Sequence, residues 1–425
     1  MKVIAFIALL FVPVLCGAAG HGPIFGLATP TDGQETHFDT ATPLKDLVEE
    51  AGKLSPQVIA AERQWDATKY AAQQAGALPD TELTIQHLSV GSPRPFAGYS
   101  NSDFAYIGLG ASQDIPFPGK RGLRAKIAES ESEVGFRQVV IVRQDVIERV
   151  KVAYFRLAYL QQTLSLLEQN DHSLGDIEQI AESRYRVGEG TQQDVLKAQL
   201  QHTKILNEIA IHHREVGQWQ AEIKSLLNRP QESPDIVTEV PSATAAPNQA
   251  SSSSNADLEL RTAEVKKTEA ALTSAKKERN PDFNVQYMWQ HTGDNFRDYY
   301  MATFEIRLPN PGRVKAAVAE AEAKRQHAKA ELDATQRILE GEIQKQTVFI
   351  RTSEDQLRIY REGLIPQSQA TLRASTASYQ TGKQDFETLL SAFNDVLRLQ
   401  IEFQQELAEH ESAIARLQRL AGGAQ

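Results

Sequence analysis

The sequence predicts a mainly α-helical fold that also carries membrane β-strands, laid out as two copies of one plan, and three observations carry that prediction. Motifs recur at a fixed distance. Tyr185-Arg186-Val187-Gly188 precedes Asp194-Val195-Leu196-Lys197-Ala198, and Tyr379-Gln380-Thr381-Gly382 precedes Thr388-Leu389-Leu390-Ser391-Ala392, 194 residues later without a gap. Apolar residues recur at an average step of 3.5 from Val139 through Val142, Val146, Val150, Ala153, Leu157, Leu160 and Leu164 to Leu167, the period of a coiled-coil seam. Elsewhere the period drops to two: Phe283, Val285, Tyr287 and Trp289 alternate with Asn284, Gln286, Met288 and Gln290, as in a strand with one apolar face.

Taken in chain order, residues 1–19 read as an export leader: Lys2 opens it, Val3 to Leu15 is apolar, and Gly17, Ala18 and Ala19 form a small-residue cleavage zone. The apolar run is about 13 residues, short of the ~20 that span a bilayer as a helix. Cys16, the only cysteine, falls inside this leader. Its two readings are a lipid attachment site and an apolar residue in a discarded peptide; Leu15 stands where a lipoprotein signal wants a small residue, which favours the second. The mature chain would then have no disulfide and no thiolate chemistry.

Residues 20–42 form an N-terminal extended segment. The first structural repeat, 43–229, comprises a helix, strands at about 81–90 and 103–114, and long helices. Gly91 to Ser102, rich in Gly, Pro and Ser, joins the two strands. Leu83 and Ile85, then Phe104 and Tyr106, give this pair a weaker apolar face, interrupted by Gly108 and Gly110. A helix from about Gly119 to about Val187 would be on the order of 100 Å long at 1.5 Å per residue. A linker at 230–255 follows, with four prolines and the run Ser251 to Ser254. The second repeat, 256–421, has a helix, strands at about 283–291 and 299–308, and long helices. Across its shorter turn, Thr292 to Asp298, residues Ala302, Phe304, Ile306 and Leu308 alternate with Met301, Thr303, Glu305 and Arg307. Its helix from Gly312 to Thr381 carries Ala316, Ala317, Ala319, Ala321 and Ala323, which let neighbouring helices approach closely, and Pro366, which should bend it locally. Residues 422–425 are a C-terminal tail. Pro118-Gly119-Lys120 matches Pro311-Gly312-Arg313 at an offset of 193, while Pro79-Asp80 matches Pro281-Asp282 at 202. The longer first loop absorbs the difference.

Strands of roughly ten residues with alternating faces suit a membrane barrel, in which ~9–11 tilted residues cross the hydrocarbon. The lipid-facing set would be Phe283, Val285, Tyr287, Trp289, Phe304 and Ile306. One chain supplies four strands, too few to close, and open edges in lipid cost several kcal/mol per unpaired backbone group. Three chains would supply twelve. The expected assembly is therefore a homotrimer with a 12-stranded β-barrel, four strands per chain, from which the long helices extend.

Composition excludes other classes. The formal net charge of -10 and the lack of a basic patch argue against nucleic acid as a partner. No nucleophile elbow, phosphate-binding loop, His-Glu-x-x-His or Cys-x-x-Cys motif occurs, so no catalytic residue and no cofactor is expected, and the chain does not read as an enzyme. The ten histidines are scattered; His212 and His213 are adjacent, which on a helix points them about 100° apart, and no metal site is assigned.

The duplicated helix-strand-strand-helix plan resembles the TolC-like outer membrane efflux protein family, whose members are outer membrane factors. The run Pro118-Gly119-Lys120-Arg121 after Ser112-Gln113-Asp114-Ile115-Pro116 and the two Tyr-x-x-Gly turns carry the resemblance, which covers about residues 42–421. It implies a shared 12-stranded β-barrel continuous with a long α-helical coiled-coil barrel, an outer-membrane location extending into the periplasm, a periplasmic adaptor (membrane fusion) protein, and an inner-membrane efflux pump of the RND type. It also implies that the two helix reversals form the periplasmic tip, so that Tyr185, Val187, Gly188, Asp194, Tyr379, Gly382 and Asp385 mark the docking and gating neighbourhood. Some family members carry an acidic ring at the entrance where this chain has Thr388 and Ser391; Asp385 and Glu387 are near enough to replace it, or else form a solvated helix face. The run 115–121 is similar to heavy-metal branches of the family, which would make metal ions as well as small molecules a cargo. A periplasmic adaptor and a structural envelope coiled-coil protein are the alternatives, the first lacking its Gly-rich β domains here and the second leaving the alternating strands unexplained.

Overall fold

The computed structural model describes residues 41–91, 104–245, 255–292 and 297–422. The leader with Cys16, most of the extended segment 20–42, and parts of the two strand-joining loops, of the linker and of the C-terminal tail lie outside these residues. Helices α1 (Leu44–Leu54) and α2 (Pro56–Ala75) precede strands β1 (Glu82–Leu88) and β2 (Tyr106–Ile115). Helices α3 (Lys120–Arg186) and α4 (Gln192–Leu226) complete the first repeat. The second runs α5 (Ala256–Lys277), β3 (Asp282–His291), β4 (Tyr299–Arg307), α6 (Pro311–Ile359), a π turn (Tyr360–Leu364), α7 (Ile365–Gln380) and α8 (Phe386–Leu420).

Helix α3, 67 residues long, is the spine against which α1, α2, α4, α5 and α8 all pack. At 1.5 Å per residue it extends roughly 100 Å. Its heptad seam is buried as the period requires: Val139, Val146, Val150, Ala153, Leu157, Leu160, Leu164 and Leu167 are all inside, and Val142 packs against the same core. A second core, built on Leu174, Ile177, Ile205, Leu389 and Phe393, fills the far end of the helices. Where Pro366 is expected to bend the second long helix, the chain makes a single π turn in which the N–H of Ile365 reaches the carbonyl of Tyr360. One extra residue in the turn absorbs the donor that proline lacks.

The described part of the proline-rich segment, 230–245, is tied down along the helices. The Gln220 amide exchanges two hydrogen bonds with the Ile236 backbone (2.8 and 3.0 Å), and the Gln161 side chain accepts from the N–H of Thr238 (3.0 Å). Thr42 forms a parallel bridge with Thr238. Polar side chains on long helices thus hold a segment that has no periodicity of its own.

The four strands form one antiparallel sheet in the order β1-β2-β3-β4, so β1 and β4 are its edges. Its register matches the sequence offsets. Glu82 faces Ser112, and their counterparts at 202 and 193, Asn284 and Glu305, face each other. One face carries Leu83, Ile85, Leu109, Val285, Tyr287, Trp289, Phe304 and Ile306, between 37% and 76% exposed. Phe283 belongs to this face and stacks on Phe304 at 5.6 Å. The opposite face is mostly polar and buries Met288 (1% exposed) and Asn284.

The first hairpin corrects the sequence reading. Phe104 lies before β2, and Tyr106, Gly108 and Gly110 are on the polar face, leaving Ile107, Leu109 and Ala111 on the apolar one. The glycines make room: a Cβ on Gly108 would stand 3.3 Å from the Tyr106 ring, and one on Gly110 3.1 Å from the Met288 methyl carbon. They are spacers under large neighbours, not breaks in the strand.

A buried lysine joins sheet to helices. Lys120, 2% exposed, donates to the Glu278 carboxylate (3.1 Å), the Asn280 carbonyl (2.9 Å) and the Asp282 carboxylate (3.1 Å). Asp282 also accepts from the backbone N–H of Phe117 at 2.8 Å, and Arg121 donates to the carbonyl of Gly76. The Pro-Gly-Lys-Arg run is therefore the clamp that fixes the start of α3 against the entry to β3. Lys120→Ala should destabilise the chain by about 2–3 kcal/mol, less than the ~3–5 kcal/mol of a fully buried broken pair because both carboxylates are part-exposed. A lowered melting temperature of the detergent-solubilised protein checks this, and an unchanged one would contradict it.

Candidate functional site

Two helix reversals meet at one end of the helices. Each helix ends in the same way: Gly188 (φ 78°) and Gly382 (φ 72°) take the left-handed conformation that glycine adopts without penalty. The Glu189 N–H then reaches back to the Arg184 carbonyl (2.9 Å), and the Lys383 N–H to that of Ser378 (2.9 Å). These paired returns satisfy carbonyls that the helix end would leave open.

The next helices start with one capping device used in two orientations. Thr191 caps α4 by accepting from the Asp194 N–H (3.2 Å), and the Asp194 side chain reaches back to the Thr191 N–H (3.5 Å). At the equivalent positions 194 residues on, the types are exchanged: Asp385 caps α8 and accepts from both the N–H (3.0 Å) and the hydroxyl (2.5 Å) of Thr388. Those hydrogen bonds hold the Asp385 carboxyl below the usual carboxylate range.

The exchange leaves Asp194 able to join the two repeats. Its carboxylate accepts from the Tyr379 hydroxyl at 3.2 Å. The Tyr379 ring, 2% exposed, meets Phe386 edge-on at 5.4 Å and lies under the Arg184 guanidinium at 4.7 Å. Arg184 also donates to the Tyr379 carbonyl, and to that of Glu189 at 3.1 Å. Gly382 also leaves room for Arg184, since a Cβ there would stand 3.2 Å from the guanidinium and push it by a few tenths of an ångström. Lys197 pairs with Glu387 across the same seam. Burial, and then the Asp194 charge, push the Tyr379 phenol up to about 12.

The residues singled out from the sequence separate into two groups. Asp194, Tyr379, Gly382 and Asp385 are brought together in this junction, with Glu387 at its edge. Tyr185 and Val187, the latter 71% exposed, point away from it, and Gly188 has open space around its α-carbon. Tyr185 and Tyr379 occupy equivalent positions yet have opposite surroundings. Sequence reasoning missed Arg184, Lys197, Thr191 and Phe386; the Thr-x-x-Asp spacing of 191 and 194 was the available signal for the cap. Among the described residues no cluster of His, Cys, Asp or Glu could hold a metal ion.

The model of the outer membrane efflux protein family matches residues 47–229 and 248–423. A search of curated proteins returns no match. Among solved structures, the chain is similar to the outer-membrane channel OprN (16% identity, 90% of each chain covered, TM-score 0.78). It is also similar to the outer membrane protein VceC of Vibrio cholerae (20% identity, 90% of this chain and 96% of that one, TM-score 0.75). A third similar fold is that of CusC, described in terms of folding and transmembrane channel formation (16% identity, 90% and 92% covered, TM-score 0.77).

The phenol of Tyr379 gives the junction a signature. Its folded pKa lies above the ordinary value of 10, so the junction keeps its full contribution below about pH 10 and loses it as the pH climbs through about 12. The phenolate absorbance of the native protein minus that of Tyr379→Phe should show one group titrating near pH 12. Titration of that group at the ordinary tyrosine value would contradict its burial against Asp194.

Proposed function

Because the chain belongs to the outer membrane efflux protein family, a family of transport channels and not of enzymes, we propose that it is the outer-membrane channel subunit of a tripartite efflux system. Three copies pool their strands into a twelve-stranded barrel in the outer membrane, and the long helices continue it as a duct into the periplasm. The observation that carries this reading is the four-stranded sheet, with one exposed apolar face and two edges that pair with no further strand among the described residues. In lipid such edges are tolerated only when closed, and Phe283, Val285, Tyr287, Trp289, Phe304 and Ile306 are then the side chains that meet the hydrocarbon.

At the other end, the helix reversals form the periplasmic tip that a periplasmic adaptor contacts, with an inner-membrane pump of the RND type supplying the energy. Exposed Tyr185 and Val187, beside Gly188, are the docking surface. Asp194, Tyr379, Gly382 and Asp385 are the gating junction, since the second hairpin is held to the first by Arg184, Asp194 and Lys197. Asp385 and Glu387 supply negative charge at the entrance, and Lys197 offsets part of it. The cargo is small molecules or metal ions.

Two measurements test the proposal. Purified protein in a planar bilayer should give discrete conductance steps; a chain inserted in the bilayer that never conducts would overturn the channel reading. Phe304→Lys should cost about 2–4 kcal/mol near the middle of the bilayer, whereas Thr303→Lys, facing the lumen, should be tolerated. Equal tolerance of the two would mean that the apolar face does not meet lipid.

A further inference from the structure

The internal duplication fixes the contact between copies residue by residue. Within one chain, β2 of the first repeat pairs with β3 of the second, Ile107 facing His291 and Ile115 facing Phe283. Moving β2 by 193 residues gives β4, and moving β3 back by 202 gives β1, the two free edges. The same pair of offsets carries the β1-β2 register onto the β3-β4 register without a slip. From this we infer that β4 of each copy pairs antiparallel with β1 of the next, with Arg307 opposite Glu82, Ile306 opposite Leu83, Phe304 opposite Ile85 and Thr303 opposite Gln86. The inference rests on the closed-barrel reading above and adds the register and the ion pairs of its seams.

The residues that meet are complementary in a way the transfer did not impose. Opposite charges come together at 307 and 82, where Arg307, already paired with Asp114 of its own chain, would be shared with Glu82. Apolar residues meet apolar at 306 with 83 and at 304 with 85, all on the exposed apolar face. A one-residue slip would set Phe304 and Ile306 against Thr84 or Gln86 and Glu82 or Thr84, and would carry the faces out of phase.

The buried clamp transfers too. Lys120 becomes Arg313, Phe117 becomes Asn310, Asn280 becomes Leu78 and Asp282 becomes Asp80. Arg313 of one copy therefore donates to the Asp80 carboxylate and the Leu78 carbonyl of the next, and the Asn310 N–H donates to the same Asp80. In the single chain Arg313 and Asp80 are exposed, and neither takes part in an ion pair among the described residues. Their counterparts Lys120 and Asp282 are joined. The one loss is Glu278, whose equivalent is Gly76, so the clamp between copies has one carboxylate fewer than the clamp within a copy.

Disulfide trapping tests the register. Directly opposite residues have Cβ atoms about 4.5–5.5 Å apart and diagonal ones about 7–8 Å, and only the former suit a disulfide after slight adjustment. Gln86→Cys with Thr303→Cys, oxidised in membranes with copper–phenanthroline, should give a reducible ladder ending in a covalent trimer. Thr84→Cys with Thr303→Cys should leave most of the chain uncrosslinked, with the single-cysteine variants as blanks. A trimer ladder from the second pair instead of the first overturns the register and leaves the channel intact. No product from either pair also overturns it, and conductance of the same protein then shows whether the channel reading survives. For the clamp, Arg313→Asp should lower the temperature at which the detergent-resistant oligomer dissociates, and adding Asp80→Arg should restore it. Failure of the double variant to recover would remove that ion pair.

Discussion

The rest of the structure depends on one constraint: a β-strand edge in a solvent without hydrogen bonds must find a partner. Among the described residues the chain makes four strands, and β1 and β4 pair with no further strand on their outer sides. The apolar face of the sheet adds to the demand, because it suits a hydrocarbon surrounding in which no water reaches the edges. Under the proposed closure a channel follows from the same constraint, since a sheet that closes through several copies would enclose a lumen lined by its polar face. Each hairpin must hand its chain to helices at a fixed angle, and the Lys120 cage with the Arg121 contact to Gly76 fixes that angle.

Duplication gives the molecule its quasi-symmetry, and the helix reversals depart from it. Thr191 and Asp194 in one repeat become Asp385 and Thr388 in the other, which leaves both helices capped. Only the first arrangement leaves the carboxylate at the position that meets a tyrosine from the other repeat. Charge therefore accumulates between the two hairpins of one chain, around Arg184, Tyr379 and Asp194.

Much of this was legible in the sequence. The 3.5-residue seam from Val139 to Leu167 marked the buried side of α3, because a long helix with no compact domain around it has little besides its own periodicity to decide which side is inside. The alternation from Phe283 to Trp289 gave the apolar face of β3 directly. In β2 the alternation misled, since Gly108 and Gly110 are present to admit Tyr106 and Met288, and nothing local to the strand says so. At the tip the glycines stood out, as positive φ restricts the choice of residue at both turns. Arg184 and Lys197 did not, because their partners lie 190 residues or more away and an arginine on a helix is ordinarily solvated. The proline-rich segment lacked any period, and its hold on the helices comes from Gln161, Gln220 and Lys224, polar residues that look like surface until the segment covers them; Lys224 donates to the Ser233 carbonyl and the Asp235 carboxylate.

The mass of the detergent-solubilised particle tests the central claim most directly. Native mass spectrometry should find three chains in one complex, about three times the mass of the processed chain. A stable monomer that stays folded without detergent or lipid would contradict the account, since its sheet edges and apolar face would then need neither a partner nor a membrane.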